Sequence, residues 1–216
     1  MTSQEFAQEL KNNFAFNEPI FTEEILKVFS NYSRAQVFRY VDVAKENNVL
    51  VQYDTGVYFI PYMTFLGIPS TITAGMAAEK KYVKNGDKRY GIYSGIRLLN
   101  EFHVTTQMAA VPTIVTNKES SKKRMIVIKN MRFILKKSRC KITPDNYIAY
   151  TILELFNEID LDEKISKYTI DTIVGFMKDH KLEILTLSKL AKYFPSKAIK
   201  NMMRSGVLYE FVREQR

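Results

Sequence analysis

Between residues 22 and 60 the spacing of apolar positions changes twice. Thr22 reads as an N-cap, with Phe21 before it and Leu26 behind it at the distance of a hydrophobic staple, while Ile25, Val28 and Phe29 fall on one side. A short helix is predicted there. Ser30-Asn31-Tyr32 breaks the pattern, and Ser33-Arg34-Ala35-Gln36 restarts it as a capping box, worth about 1 kcal/mol to the helix it opens. At about 100° per residue, Val37, Val41 and Ala44 share a face flanked by Phe38 and Tyr40. Ala35, Gln36, Arg39 and Val43 point the other way. Asn47-Asn48 ends this helix, and the β-branched and aromatic runs 49–53 and 57–60 around Asp54-Thr55-Gly56 predict a β-ribbon. Two helices, a tight connection and a ribbon follow the order of a winged helix-turn-helix. Its second helix would present Arg, Gln and a small apolar group to base edges in a major groove. An ordinary αα-hairpin carrying a ribbon is the plainer alternative.

Beyond the ribbon, Pro61 to Thr73 reads as a connector, Ala74 to Lys84 as a helix and Asn85-Gly86-Asp87 as a turn. Residues 93–102 predict another helix with Ile96, Leu99 and Phe102 inward. Three β-like runs follow, 113–116, 125–128 and 131–136, the last two joined by the two-residue turn Lys129-Asn130. Arg132 and Ile134 are expected on opposite sides of their strand. Thr143 as N-cap before Pro144 opens a helical tail, with segments near 144–159, 164–180 and 186–205. The expected fold is α+β: an N-terminal winged helix-turn-helix over 1–62, a mixed region with a small antiparallel sheet over 63–142, and a helical C-terminal region over 143–216. Residues 190–199 faintly echo 26–37, and each stretch precedes an apolar, strand-like run, 207–212 and 49–53. A second helix-turn-helix and chance similarity both fit, chance better.

Composition narrows the class. With 216 residues, 46% hydrophobic and 25% charged, the chain has an ordinary globular balance. Met1-Thr2-Ser3-Gln4-Glu5 lacks a basic start, and the most apolar stretch, 57–68, is interrupted by Pro61 and Gly67, so neither secretion nor a membrane span is expected. Cys140 is the single cysteine, which fits a reducing cytoplasm and an inert thiol.

The formal charge is +9, unevenly spread. Residues 1–62 carry net −3, residues 63–140 net +11 and residues 141–216 net +1. The module proposed to read DNA is thus slightly acidic, and the middle of the chain supplies the positive field. Lys118, Lys122, Lys123, Arg124, Lys129, Arg132, Lys136, Lys137, Arg139 and Lys141 gather around the 125–136 hairpin, with Glu119 the one acid among them. Such a run is either solubilising surface or a contact for nucleic acid or an acidic protein.

Catalysis has little support in the sequence. His103 and His180 are the only histidines and lie in no ligand or triad spacing; no phosphate-cradling glycine loop or paired-carboxylate motif is present. Asp160-Leu161-Asp162-Glu163 reads as an acidic turn before a helix rather than a metal site. No enzyme activity, metal or cofactor is expected.

In their order, these segments resemble the AbiEi antitoxin family, the transcriptional-regulator half of bacterial abortive-infection type IV toxin–antitoxin pairs. The likeness is carried by Phe29-Ser30-Asn31-Tyr32-Ser33-Arg34-Ala35-Gln36-Val37, by Tyr53-Asp54-Thr55-Gly56-Val57-Tyr58-Phe59-Ile60-Pro61, by Tyr90-Gly91-Ile92-Tyr93-Ser94-Gly95 through Leu98-Leu99-Asn100, and by Thr105-Thr106-Gln107. It covers roughly residues 20–140, and the helical tail only in general character. It implies a cytoplasmic phage-defence antitoxin whose winged helix binds inverted repeats upstream of its own operon, and a C-terminal region counteracting a nucleotidyltransferase toxin without requiring a stable complex. By position it implies Ser33, Arg34, Gln36 and Arg39 in the groove, with Tyr53 and Thr55 at the wing. Lys118, Lys122, Lys123, Arg124, Arg132, Lys136, Lys137 and Arg139 would add non-specific attraction. His103 stands where the resemblance leads one to expect a helix-ending glycine. The competing expectation is an interaction module whose basic middle region grips RNA or an acidic protein, the N-terminal module serving as scaffold.

Overall fold

Thr2 is the N-cap of a reciprocal capping box with Glu5: the Thr2 hydroxyl accepts from Glu5 N at 3.2 Å and Glu5 accepts from Thr2 N at 2.6 Å. The resulting helix α1 (Ser3–Asn13) is the first element of a computed structural model that describes residues 1–160 and 165–213. The chain forms a mixed α+β fold with N-terminal helices, small sheets and C-terminal helices. It divides into two compact units, one of residues 1–80 with 128–130, the other of 81–127 with 131–216.

In the first unit, β1 (Ile20–Phe21), α2 (Thr22–Val28), α3 (Arg34–Glu46), β2 (Val51–Asp54) and β3 (Val57–Phe59) follow α1. The sheet order is β1-β3-β2, with both pairings antiparallel and a register shift between Gln52 and Asp54. Phe6 and Leu10 of α1, Ile25 and Phe29 from the α2 segment, Val37, Val41 and Ala44 of α3, and Tyr58 and Ile60 form one buried cluster. The Phe6 ring packs against those of Phe29 and Tyr40, 4.3 and 5.4 Å away by centroid. Sequence reading placed the α2 cap at Thr22, but helical geometry already includes Thr22. Phe21 is the cap position, and its N–H is taken by the Glu24 carboxylate at 2.9 Å. Sequence reading overlooked α1 and β1.

The unit boundary falls within α4 (Ala74–Tyr82), and the Asn85–Asp87 turn sits between the two-residue strands β4 (Lys84–Asn85) and β5 (Lys88–Arg89). A four-stranded sheet follows in the order β6-β7-β9-β8, from β6 (Gly91–Ser94), β7 (Thr113–Thr116), β8 (Arg124–Ile128) and β9 (Met131–Lys137). β7 runs antiparallel to β6 but parallel to β9, so the sheet is mixed and not wholly antiparallel as expected. A Cβ at Gly91 would sit 2.1 Å from Tyr82 O and 2.8 Å from Val115 O, so only glycine lets β6 lie this close. Phe133 and Leu135 are buried while Arg132, Ile134 and Lys136 alternate with them. Arg132 and Ile134 therefore share a face, contrary to the sequence reading, because residues two apart in a strand point the same way.

The helix after β6 also differs from expectation. Tyr93 and Ser94 belong to β6, and α5 is only Ile96–Glu101. Phe102 is buried as expected and Leu99 is half-buried against the same core, but Leu98 is buried and Ile96, one residue after the Gly95 cap, is exposed. His103 closes this segment with φ +56°, the left-handed geometry expected at that position, adopted without glycine.

In the tail, α6 (Tyr147–Glu158) starts later than Thr143 predicts. Pro144 to Asn146 form a turn closed by Asn146 Oδ1, which accepts from Thr143 N at 2.8 Å. α7 (Lys167–Asp179) follows, and α8 (Ile184–Ala191), α9 (Ser196–Ser205) and α10 (Val207–Arg213) complete the tail. The single helix expected over 186–205 is two, divided before Pro195, whose ring cannot continue a helix interior. The strand-like run 207–212 is helical: Gly206, at φ +77°, ends α9, and Val207 and Phe211 are buried one turn apart. With no strand after α9 among the described residues, the echo of residues 26–53 stops at the two helices. The acidic turn expected at 160–163 and a helix start at 164 fall largely outside the described residues. Every residue from Ile148 to Phe156 is buried, making α6 the axis of a cluster shared with Phe102, Met177, Leu190, Met202 and Phe211. Asn201 Nδ2 donates to Phe156 O and Ile159 O, each at 2.9 Å, closing the end of α6. No helix among the described residues is long and apolar enough to cross a membrane.

Candidate nucleic-acid interface

The capping box read at Ser33 is present. Ser33 Oγ accepts from Gln36 N at 3.3 Å, while Gln36 Oε1 takes Ser33 N at 3.1 Å and the Ser33 hydroxyl at 3.0 Å. Arg34, Ala35, Gln36 and Arg39 are exposed while Val37, Val41 and Ala44 are buried, as the helical period requires. Arg34 carries its guanidinium 5.5 Å from the Phe38 ring centroid. Arg39 has no ion pair among the described residues, so this face offers two arginines and the Nε2 of Gln36. Both lone pairs of Gln36 Oε1 are engaged by the cap, which restricts that side chain to donating.

The turn between β2 and β3 is held to the start of α2: Thr22 N donates to Gly56 O at 3.1 Å. Thr55 is exposed, and its N–H is satisfied by Asp54 Oδ1 at 2.7 Å. The other Asp54 oxygen accepts from Lys129 N at 2.6 Å. Tyr53 is half-buried, with the Lys129 ammonium 4.5 Å from its ring centroid. Burial raises its phenol, and a hydrogen bond with the Ala74 backbone offsets part of that rise. Of the two residues assigned to the wing, Thr55 is exposed and Tyr53 is engaged within the unit.

The basic residues of the second unit divide into two sets. Arg124 Nε is 2.8 Å from Glu119, a buried carboxylate that also accepts from Ser120 N and Ser121 N at 2.9 Å. These backbone donors, chiefly Ser121, and Arg124 hold Glu119 below the usual carboxylate range. Lys118 stacks over Tyr90 at 3.7 Å, and Lys136 meets Glu158 at 3.3 Å. Lys122, Lys123, Arg132 and Lys137 have no acidic partner among the described residues and supply the unneutralised charge. Arg139 lies 3.9 Å from Glu154 Oε2.

Glu154 is the feature that sequence reading missed. It is 2% exposed, and its Oε1 accepts from Ser94 Oγ at 2.7 Å; the same hydroxyl lies 3.4 Å from Glu158 Oε1. Burial pushes the Glu154 carboxyl up, the Ser94 bond opposes that, and Glu158 reinforces it. The available signal was a lone acid inside the apolar run 148–156, with a second acid one helical turn later. His103 follows the Phe102 cap of α5, His180 is the C-cap of α7, and both are exposed. Cys140 is half-buried, and burial pushes its thiol up, which lowers its thiolate fraction. Comparison with models of known families gives no match, and no curated protein matches the chain.

Proposed function

We propose that the chain is a DNA-binding autorepressor in which α2, α3 and the β1-β3-β2 sheet act as a winged helix-turn-helix, and that it serves as the antitoxin against a nucleotidyltransferase toxin. The observation that supports DNA reading best is the outward face of α3: a capped helix start with Arg34, Gln36 and Arg39 exposed over its first two turns and no acid before Asp42. The antitoxin role and the inverted-repeat operator rest on the family resemblance alone. Lys122, Lys123, Arg132 and Lys137 contribute attraction independent of sequence, which suits a reading module of net −3 over residues 1–62.

The experiment is a gel-shift titration of DNA from upstream of the chain's own reading frame against shuffled DNA of equal length, at two salt concentrations. The proposal expects preference for the upstream DNA, and a log–log salt slope that falls by about 0.9 for each phosphate that Lys122→Ala/Lys123→Ala leaves unneutralised. Equal affinity for both DNAs would refute sequence reading. The acidic balance of residues 1–62 favours one second reading, an interaction module whose basic unit binds RNA or an acidic protein. It expects no duplex binding at either salt concentration.

A further inference from the structure

Behind the cationic surface of the second unit lies a cavity of about 490 Å³, lined by Val115, Tyr150, Glu154 and a group of cations. Its rim and floor differ in chemistry. The rim is cationic, and its Lys122, Lys123 and Lys137 are exposed and have no acidic partner among the described residues. The floor is buried: Tyr150 is fully covered, and Glu154 Oε2 is enclosed with no hydrogen-bond partner among the described residues. Arg139, at 3.9 Å, is too far for a hydrogen bond to that oxygen.

A buried oxygen left unpaired costs stability unless something occupies it, so the Glu154 carboxyl is a position for a ligand's donor. A simple inorganic anion fits this cavity poorly, because it would meet the lysines and then place its own oxygens against Glu154. A neutral ligand would leave the charge of the three lysines unanswered. The arrangement calls for a molecule with several negative charges at one end and N–H or O–H donors at the other, with a flat or apolar part against Val115 and the Tyr150 ring.

We propose that this cavity binds a free nucleoside phosphate, its phosphates on Lys122, Lys123 and Lys137 and a sugar hydroxyl or base amine donating to Glu154 Oε2. Lys136 is held to Glu158 at 3.3 Å and Ser94 to Glu154 at 2.7 Å, so the floor is braced before a ligand arrives. The site lies wholly in the second unit and does not depend on the groove reading of α3.

Calorimetric titration of the full chain tests it with ATP, GTP, CTP and UTP, the four parent nucleosides, inorganic tripolyphosphate and a 5′-phosphorylated tetranucleotide, all at one ionic strength. At least one nucleoside triphosphate is expected to bind about tenfold more tightly than both tripolyphosphate and its own nucleoside, the worth of one hydrogen bond to a charged or buried group. Glu154→Gln keeps the side chain's shape and should erase most of that tenfold margin, leaving tripolyphosphate binding unchanged or stronger. Lys122→Ala/Lys123→Ala changes only exposed positions and should weaken triphosphate and tripolyphosphate alike. Equal affinity for tripolyphosphate and every nucleoside triphosphate would reduce the cavity to a patch of charge and overturn the proposal. So would a margin unmoved by Glu154→Gln, binding of the tetranucleotide without any mononucleotide, or silence from every probe up to about 1 mM, where association is worth only about 4 kcal/mol.

Discussion

Arg39→Ala and Gln36→Ala separate two jobs that α3 performs with neighbouring side chains. Gln36 Oε1 receives both the backbone N–H and the hydroxyl of Ser33, at 3.1 and 3.0 Å, so bidentate reading of an adenine would first require opening the cap. Opening costs about 1 kcal/mol, against about 1–3 kcal/mol for a good bidentate base contact, leaving Gln36 roughly 0–2 kcal/mol of net reading. Arg39 is exposed with no acidic partner among the described residues and gives up nothing to reach DNA. Arg39→Ala should therefore leave urea unfolding unchanged and weaken binding to the upstream DNA by about 5- to 150-fold, the equivalent of about 1–3 kcal/mol. Gln36→Ala should lower unfolding stability by about 0.5–1 kcal/mol and weaken DNA binding less than Arg39→Ala does. Fluorescence anisotropy at fixed salt, paired with urea titrations of the same preparations, measures both. The reverse order on DNA, or wild-type binding by Arg39→Ala, would refute the division of labour and with it the placement of this face in a groove.

The helical tail and the buried acid give two further tests. Asn201→Ala removes the donor that serves Phe156 O and Ile159 O and leaves two buried carbonyls short of a partner, so the second unit should lose about 2–4 kcal/mol in urea unfolding, and a loss under about 0.5 kcal/mol would argue against that closure. Glu154 has a folded-state pKa above its ordinary value; its favourable share of stability is complete below the unfolded pKa and is lost as pH rises through the folded one. It faces Ser94, Glu158, Arg139 and, more distantly, Lys136. Glu154→Gln, which cannot ionise, should therefore raise the melting temperature relative to wild type at about pH 8 and show a shrinking advantage toward about pH 5; a difference independent of pH would contradict the raised pKa.

How legible the chain is depends on whether local signals act alone. The α3 start was readable because Ser33 and Gln36 satisfy each other with no help from distant residues. β7 matched its predicted bounds, 113–116, and β9 extended one residue further, because short β-branched runs are bounded by turns. Equally local signals mark α1: Thr2-Ser3-Gln4-Glu5 is a capping box, and Phe6 and Leu10 are one turn apart. Other errors came from tertiary choices. The run 207–212 is apolar enough for a strand, yet Gly206 and the burial of Val207 and Phe211 settle it as a helix. Ile96 and Leu98 are both plausible core residues by type, and only the cap at Gly95 selects Leu98. The cavity was not legible at all, since Glu154, Arg139 and Lys122 meet through a sheet whose parallel pairing no local pattern announces.

Helix α6 is buried around its whole circumference from Ile148 to Phe156, and although Ile92, Leu98 and Phe102 precede it, much of its cover comes after it in the chain, on α7 through α10. During synthesis the ribosome therefore releases this core helix before much of its coat exists, and the exposed interval lasts until residue 211 has cleared the exit tunnel. A stop codon at position 207 would remove Val207 and Phe211 together, yielding a sticky fragment destined for proteases instead of a slightly shortened protein with partial activity.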